Sequence, residues 1–165
     1  MSDKAAKILV IDDEHEVCQT LKVVFDAFGF QVLLAPTAEA AWSLLFSGKS
    51  PDIIILDFLL PGESGPSFHK RLKENERFKN ISVIPFTSLL ESAGKDFSLV
   101  RDFVMNRDVM PPTGQRAIVP KSLSSEGKPI PSGLLLAVAH ALAKMGKPVP
   151  TSLRESLRKI LRNIT

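Results

Sequence analysis

Residues 53–56 read IIIL, directly before Asp57. A strand with one face in water alternates apolar and polar residues. This run does not alternate, so both of its faces must be covered, as in a parallel sheet between two helical layers. Three more β-rich runs repeat the theme: KILVID (7–12), QVLLA (31–35) and ISVIPF (81–86), with a shorter one, RAIVP, at 116–120. Helical spacing separates them. Val17, Leu21, Val24, Phe25 and Phe28 fall on one face of a helix that stops at Gly29. Thr37 is placed to cap a second helix reaching about Phe46. Pro66 suits the first position of a third helix, which carries Phe68 and Leu72. Phe97, Val100, Phe103 and Val104 suggest a fourth helix, and LLLAVAHALAKM (134–145) a fifth. Five alternations of strand and helix predict an α/β fold with a doubly wound, five-stranded parallel sheet.

In such sheets ligands bind beyond the carboxyl ends of the strands. The polar residues that end these runs are Asp12 and Asp13, then Asp57, then Thr87 and Ser88, and finally Lys121. All are therefore expected on one rim. Three carboxylates crowded there would repel, and a divalent cation removes the conflict. Magnesium suits the set, because it takes oxygen ligands, keeps several waters, and pairs one or two carboxylates with phosphate oxygens. An aspartate can also act as a nucleophile and form an aspartyl phosphate. Lys121 supplies a point charge and Thr87 a hydroxyl for a phosphoryl oxygen. The competing reading is plain solvation and capping, with Asp13 as the cap of the first helix.

The segments VIDDE, LDFLLPGESG and PFTS, followed by a strand-terminal lysine, resemble the receiver domain of bacterial two-component response regulators over roughly residues 7–145. That resemblance implies a flavodoxin-like sheet of order 2-1-3-4-5. It makes Asp57 the phospho-acceptor, supplied by a phosphohistidine on a sensor histidine kinase or histidine phosphotransfer protein. Asp13, Asp57 and the main-chain carbonyl of Leu59 would ligate Mg²⁺, with Asp12 acting through water. Lys121 would pair with the phosphoryl group, and Thr87 would swing toward it, signalling through the face of the fourth and fifth strand–helix units. The chain would be a switch and not an enzyme: an aspartate-nucleophile phosphatase would want a second Asp where Leu59 stands. No Gly-rich nucleotide fingerprint is present.

The family pattern is not followed throughout. Proline usually follows the lysine, whereas Ser122 does here, and Ile118 stands where an aromatic switch residue often does. These departures favour a pseudo-receiver, a constitutive interaction module, as the alternative. The stretch from Thr87 to Lys121 and the loop before the fifth helix are longer than usual, implying an unusual output surface. Leu59 and Leu89 occupy the positions that influence water attack on the acyl phosphate, and neither can orient a water, so slow self-dephosphorylation is expected.

Composition limits the rest. The single cysteine, Cys18, excludes an internal disulfide, is expected to be half-buried on its helix, and fits a reducing compartment. No stretch is long enough for a membrane span, and the expected location is cytoplasmic. His15 reads as an exposed loop residue and His69 as a surface residue. The net charge of +3 is unevenly placed: residues 144–165 hold six Lys and Arg against one acid, and residues 1–143 hold fifteen against seventeen. The division is thus a receiver domain over 1–146 and, over 147–165, a hinge with a basic amphipathic C-terminal helix. Ser152 and Glu155 fit a capping box for that helix, and Leu153, Leu157, Ile160, Leu161 and Ile164 form its apolar stripe. Packing on the receiver or in a homodimer is expected for it, with effector contact through the same region. Direct nucleic-acid binding is not expected of so short a segment.

Overall fold

The computed structural model describes residues 5–87, 119–120 and 132–162. The elements run β1 (Lys7–Ile11), α1 (His15–Ala27), β2 (Gln31–Ala35), α2 (Ala38–Phe46), β3 (Ile53–Leu56), α3 (Gly65–Glu74), β4 (Ser82–Thr87), β5 (Val119–Pro120), α4 (Ser132–Lys144) and α5 (Thr151–Arg162). The helix expected over 97–104 lies outside the described residues, so α4 is the helix expected as the fifth.

The four longer strands are parallel and stand in the order β2-β1-β3-β4. The two residues of β5 pair beyond β4, with Phe86 opposite Val119 and Thr87 opposite Pro120. Of the full fifth strand expected over 116–120, only this end falls among the described residues.

Alternate side chains explain the unbroken apolar runs. Ile8 and Val10 of β1, with Ile53 and Ile55 of β3, join a cluster with Leu21 and Phe25 of α1 and Leu134 and Val138 of α4. Leu9, Ile11, Ile54 and Leu56 face the other way, against Ala41 and Leu45 of α2 and Phe68 and Leu72 of α3. Each fully buried aliphatic of this kind contributes roughly 1.5–3 kcal/mol, which holds the strand ends, and so the rim, in fixed register.

The local signals act as expected at α2, where Thr37 Oγ1 accepts from the Ala40 amide. At α3 the cap is Ser64, whose hydroxyl accepts from the Ser67 amide, so the helix begins at Gly65 and Pro66 is its second residue. The C-terminal helix starts at Thr151, which puts Ser152 inside its first turn and Glu155 beyond that turn, instead of in a capping box. The described part of its apolar stripe packs on the receiver: Leu153 is fully buried, and Leu157 and Ile160 are partly so, in the α1–α4 cluster, while Ile164 and the Leu161 side chain lie outside what the structure describes. The hinge is fixed as well. Gly146 adopts φ +67° after α4, a left-handed stop that a side chain would strain. Lys147 Nζ pairs with Asp52 Oδ1, while Asp52 Oδ2 accepts from the Lys7 amide at 2.8 Å. The hinge is thereby tied to the amino-terminal ends of β1 and β3, opposite the rim that carries the acids. No helix among the described residues is long and apolar enough to cross a membrane.

Candidate functional site

β1 and β3 are neighbours, with Ile11 opposite Leu56. The next residue on each strand is an aspartate. The Asp57 amide donates to Ile11 O at 2.9 Å and the Asp12 amide to Ala35 O at 3.1 Å, so the sheet's hydrogen bonding continues to the acids themselves. Carboxylate oxygens of Asp12, Asp13 and Asp57 lie within 4.8 Å of one another. Asp12 and Asp57 are 1% and 3% exposed, and Asp13 faces solvent. The sequence therefore placed these three correctly. Asp12 also starts α1: its Oδ1 accepts from the Glu14 amide at 2.9 Å, and its carbonyl accepts from Cys18 Sγ at 3.2 Å. Cys18 is accordingly buried instead of half-buried. The helix cap itself is Glu14, not Asp13.

Three ionised carboxylates at this spacing repel by at least about 3 kcal/mol per pair at an effective dielectric of ~20. An all-oxygen, mostly anionic donor set is what a hard divalent cation requires, so the residues present fit one.

The loop after Asp57 is shaped by Gly65. Its amide donates to Phe58 O at 3.0 Å, and a Cβ built there would lie 2.1 Å from the Asp57 carbonyl oxygen. No side chain fits, so the glycine is what lets α3 begin directly behind Asp57. Leu59 lies in this loop with its side chain in solvent, two residues past Asp57. Thr87 ends β4, the strand beside β3, at the same rim. Lys121 and Leu89 lie outside the described residues.

Two features were not anticipated. Glu63 forms a side-chain network: its Oε2 accepts from Trp42 Nε1 at 3.2 Å and Arg71 Nη1 at 2.8 Å, and its Oε1 accepts from Ser67 Oγ at 3.2 Å. Trp42 is partly buried against the α2–α3 cluster, and no spacing rule links it to a glutamate 21 positions away. His69, expected at the surface, is buried on α3, and burial, helped by the charge of Lys73, lowers its pKa to about 4. In GPSFHKR (65–71) the histidine stands directly before Lys70 and Arg71, which gave no sign of its burial.

Residues 8–99, over half the chain, match the family described as response regulator receiver domain. The chain belongs to that family. This receiver is 34% identical over 88 residues to the phosphate regulon transcriptional regulatory protein PhoB of Pseudomonas aeruginosa, covering 53% of this chain and 38% of that protein. It is 36% identical over 84 residues to its Escherichia coli K12 namesake, covering 51% and 36% respectively. The matched region is thus less than two fifths of those regulators. Among solved structures, the signal receiver domain of an HD domain-containing protein from Pseudomonas fluorescens Pf-5 aligns at TM-score 0.66 and 20% identity, over 88% of this chain and 100% of that one. At that identity the likeness is one of fold. The Asp12–Asp13–Asp57 cluster is the acidic site typical of receivers.

Proposed function

We propose that the protein is a phosphorylation-switched signalling module, not an enzyme, whose acceptor is Asp57. The convergence of the three aspartates at one rim carries this reading. Asp57 attacks the phosphorus of a phosphohistidine on a sensor histidine kinase or histidine phosphotransfer protein. The new bond is O–P, the bond broken is P–N, and the imidazole departs with its electron pair and takes up a proton. Asp13, Asp57 and the Leu59 carbonyl would hold Mg²⁺ directly, and Asp12 through water. Bound there, the ion neutralises the acids and the incoming phosphoryl oxygens.

The chain's own residues do the remainder. The sheet fixes Asp57 at its main chain, and the buried Asp12 stands beside it as a further oxygen donor. A complete fifth strand over 116–120 would bring Lys121 to the same rim as a counter-charge, while the Thr87 hydroxyl reports the modification to the output face. The receiver extends to about residue 146, the C-terminal helix is an appended layer, and the location is cytoplasmic. Partner contact or self-association through the output face and C-terminal helix belongs to the same reading.

The test is to incubate the full chain with Mg²⁺ and a small phosphodonor, or with beryllofluoride, and to measure mass and hydrodynamic shape. Asp57→Asn is the control. One phosphoryl group per chain, absent in the variant and accompanied by a change of shape, is the expected result. Absence of any uptake overturns the reading. Ser122 and Ile118 favour a second one, a constitutive module, and uptake with no change of shape would support it.

A further inference from the structure

The loop between β3 and α3 has a weak point. Phe58 anchors its start, 4% exposed, and Ser64 caps the helix at its end. Between them Leu59, Pro61 and Gly62 are exposed and Leu60 is only partly buried against the α2–α3 cluster, so no fully buried side chain lies between Phe58 and the helix to fix the residue whose carbonyl is assigned to the metal. Glu63 adds a polar anchor to the apolar one of Leu60. Its side chain is only 18% exposed and reaches two other elements, Trp42 of α2 and Arg71 with Ser67 of α3. The Arg71 guanidinium also lies over the Trp42 ring, 5.0 Å from its centroid, closing a three-membered set. These groups wall an open cleft of about 660 Å³ on the outer side of the loop.

We propose that Glu63 is a positioning residue. It clamps the β3–α3 loop to α2 and α3 and so holds the Leu59 carbonyl and Asp57 in the arrangement that takes the divalent ion. This rests on the function proposed above. The clamp acts at one remove from the ligands, as groups around a metal's direct ligands do when they fix ligand orientation. Its anchor on α2 lies on a different helix from the one the loop leads into, so it restrains the loop from two sides.

The alternative is that Glu63 merely adds negative charge near the acids, and three variants of the full chain separate the two. Glu63→Ala removes charge and acceptors, Glu63→Gln removes the charge but keeps one acceptor oxygen, and Trp42→Phe removes a donor with no change of charge. Calorimetric titration with MgCl₂ measures affinity, and amide hydrogen exchange at Gly65 measures the loop. Glu63→Ala is expected to weaken Mg²⁺ binding about three- to tenfold, below the range typical of groups bonded directly to a metal ligand. It should also speed exchange at Gly65. Glu63→Gln should fall between wild type and Ala, and Trp42→Phe should show a smaller loss of the same sign. Equal losses in Gln and Ala with wild-type behaviour of Trp42→Phe would assign the effect to charge and overturn the clamp, as would a Glu63→Ala protein that binds and exchanges like wild type. Wild-type protein that takes no Mg²⁺ defeats the proposed function itself, a result distinct from either of these.

Discussion

Gly65→Ala is the sharpest test of how the acceptor loop is built. Gly65 has an ordinary backbone conformation, so the requirement is for space, not for positive φ. An added Cβ would lie 2.1 Å from Asp57 O, 2.8 Å from Phe58 Cα and 2.9 Å from Asp57 C. Relaxed C···O contacts are about 3.3 Å or longer, so the first gap must open by roughly 1 Å. All three atoms are backbone and cannot rotate aside. The Asp57 amide is held to Ile11 and the Gly65 amide to Phe58, so a shift must break or stretch one of these bonds. Overpacking of this kind costs roughly 1–3 kcal/mol, and a lost hydrogen bond adds about 1. Alanine's better helix propensity returns at most about 1 kcal/mol at this first helical position. The net expectation is destabilisation by about 2–3 kcal/mol, or roughly 4–12 °C in Tm for a chain of this size. Thermal melts followed by circular dichroism read the first figure, and Mg²⁺ titration should show weaker binding because Asp57 moves with its carbonyl. An alanine variant melting within about 1 °C of wild type, with unchanged Mg²⁺ affinity, would refute this account of the loop.

Three further outcomes are expected. His69 is held neutral in the fold, with its pKa near 4 against about 6.5 when unfolded, so its contribution is complete above pH 6.5 and disappears as pH falls toward 4. Urea unfolding over that range should show up to roughly 3 kcal/mol of loss from this source, and His69→Gln should flatten that part of the profile. Leu153 is fully buried where α5 meets the α1–α4 cluster, so Leu153→Ala should cost about 2–5 kcal/mol by denaturant unfolding; a change below ~0.5 kcal/mol would mean the helix is not docked in solution. Leu59 cannot orient a water toward the acyl phosphate, and its side chain is in solvent, so label on Asp57 should decay slowly without a phosphatase. A half-life of seconds would contradict that.

The parts of this protein that sequence revealed are those fixed by local or periodic physics. IIIL before Asp57 implied two covered faces, and Ile53/Ile55 and Ile54/Leu56 do point into opposite clusters. Because Asp12 and Asp13 follow β1 and Asp57 follows β3, knowing that these two strands are neighbours was enough to bring them together. Helix starts were less legible. Gly65 holds the first helical position expected for Pro66, and Thr151 opens its helix ahead of the expected cap Ser152, shifts of one or two residues that depend on how the preceding loop arrives. The Glu63–Trp42–Arg71 set was invisible because it joins three segments through side chains whose types each have an ordinary surface or core use. His69 was misplaced because polar neighbours in sequence say little about which residues a helix turns toward the sheet.

The Trp42–Glu63 hydrogen bond has a practical consequence. The chain contains one tryptophan and no tyrosine. Its intrinsic fluorescence therefore comes almost wholly from an indole bonded to the very loop that follows the acceptor aspartate. The unlabelled protein carries an optical gauge of that loop, and stopped-flow emission can time each event at the rim without a dye.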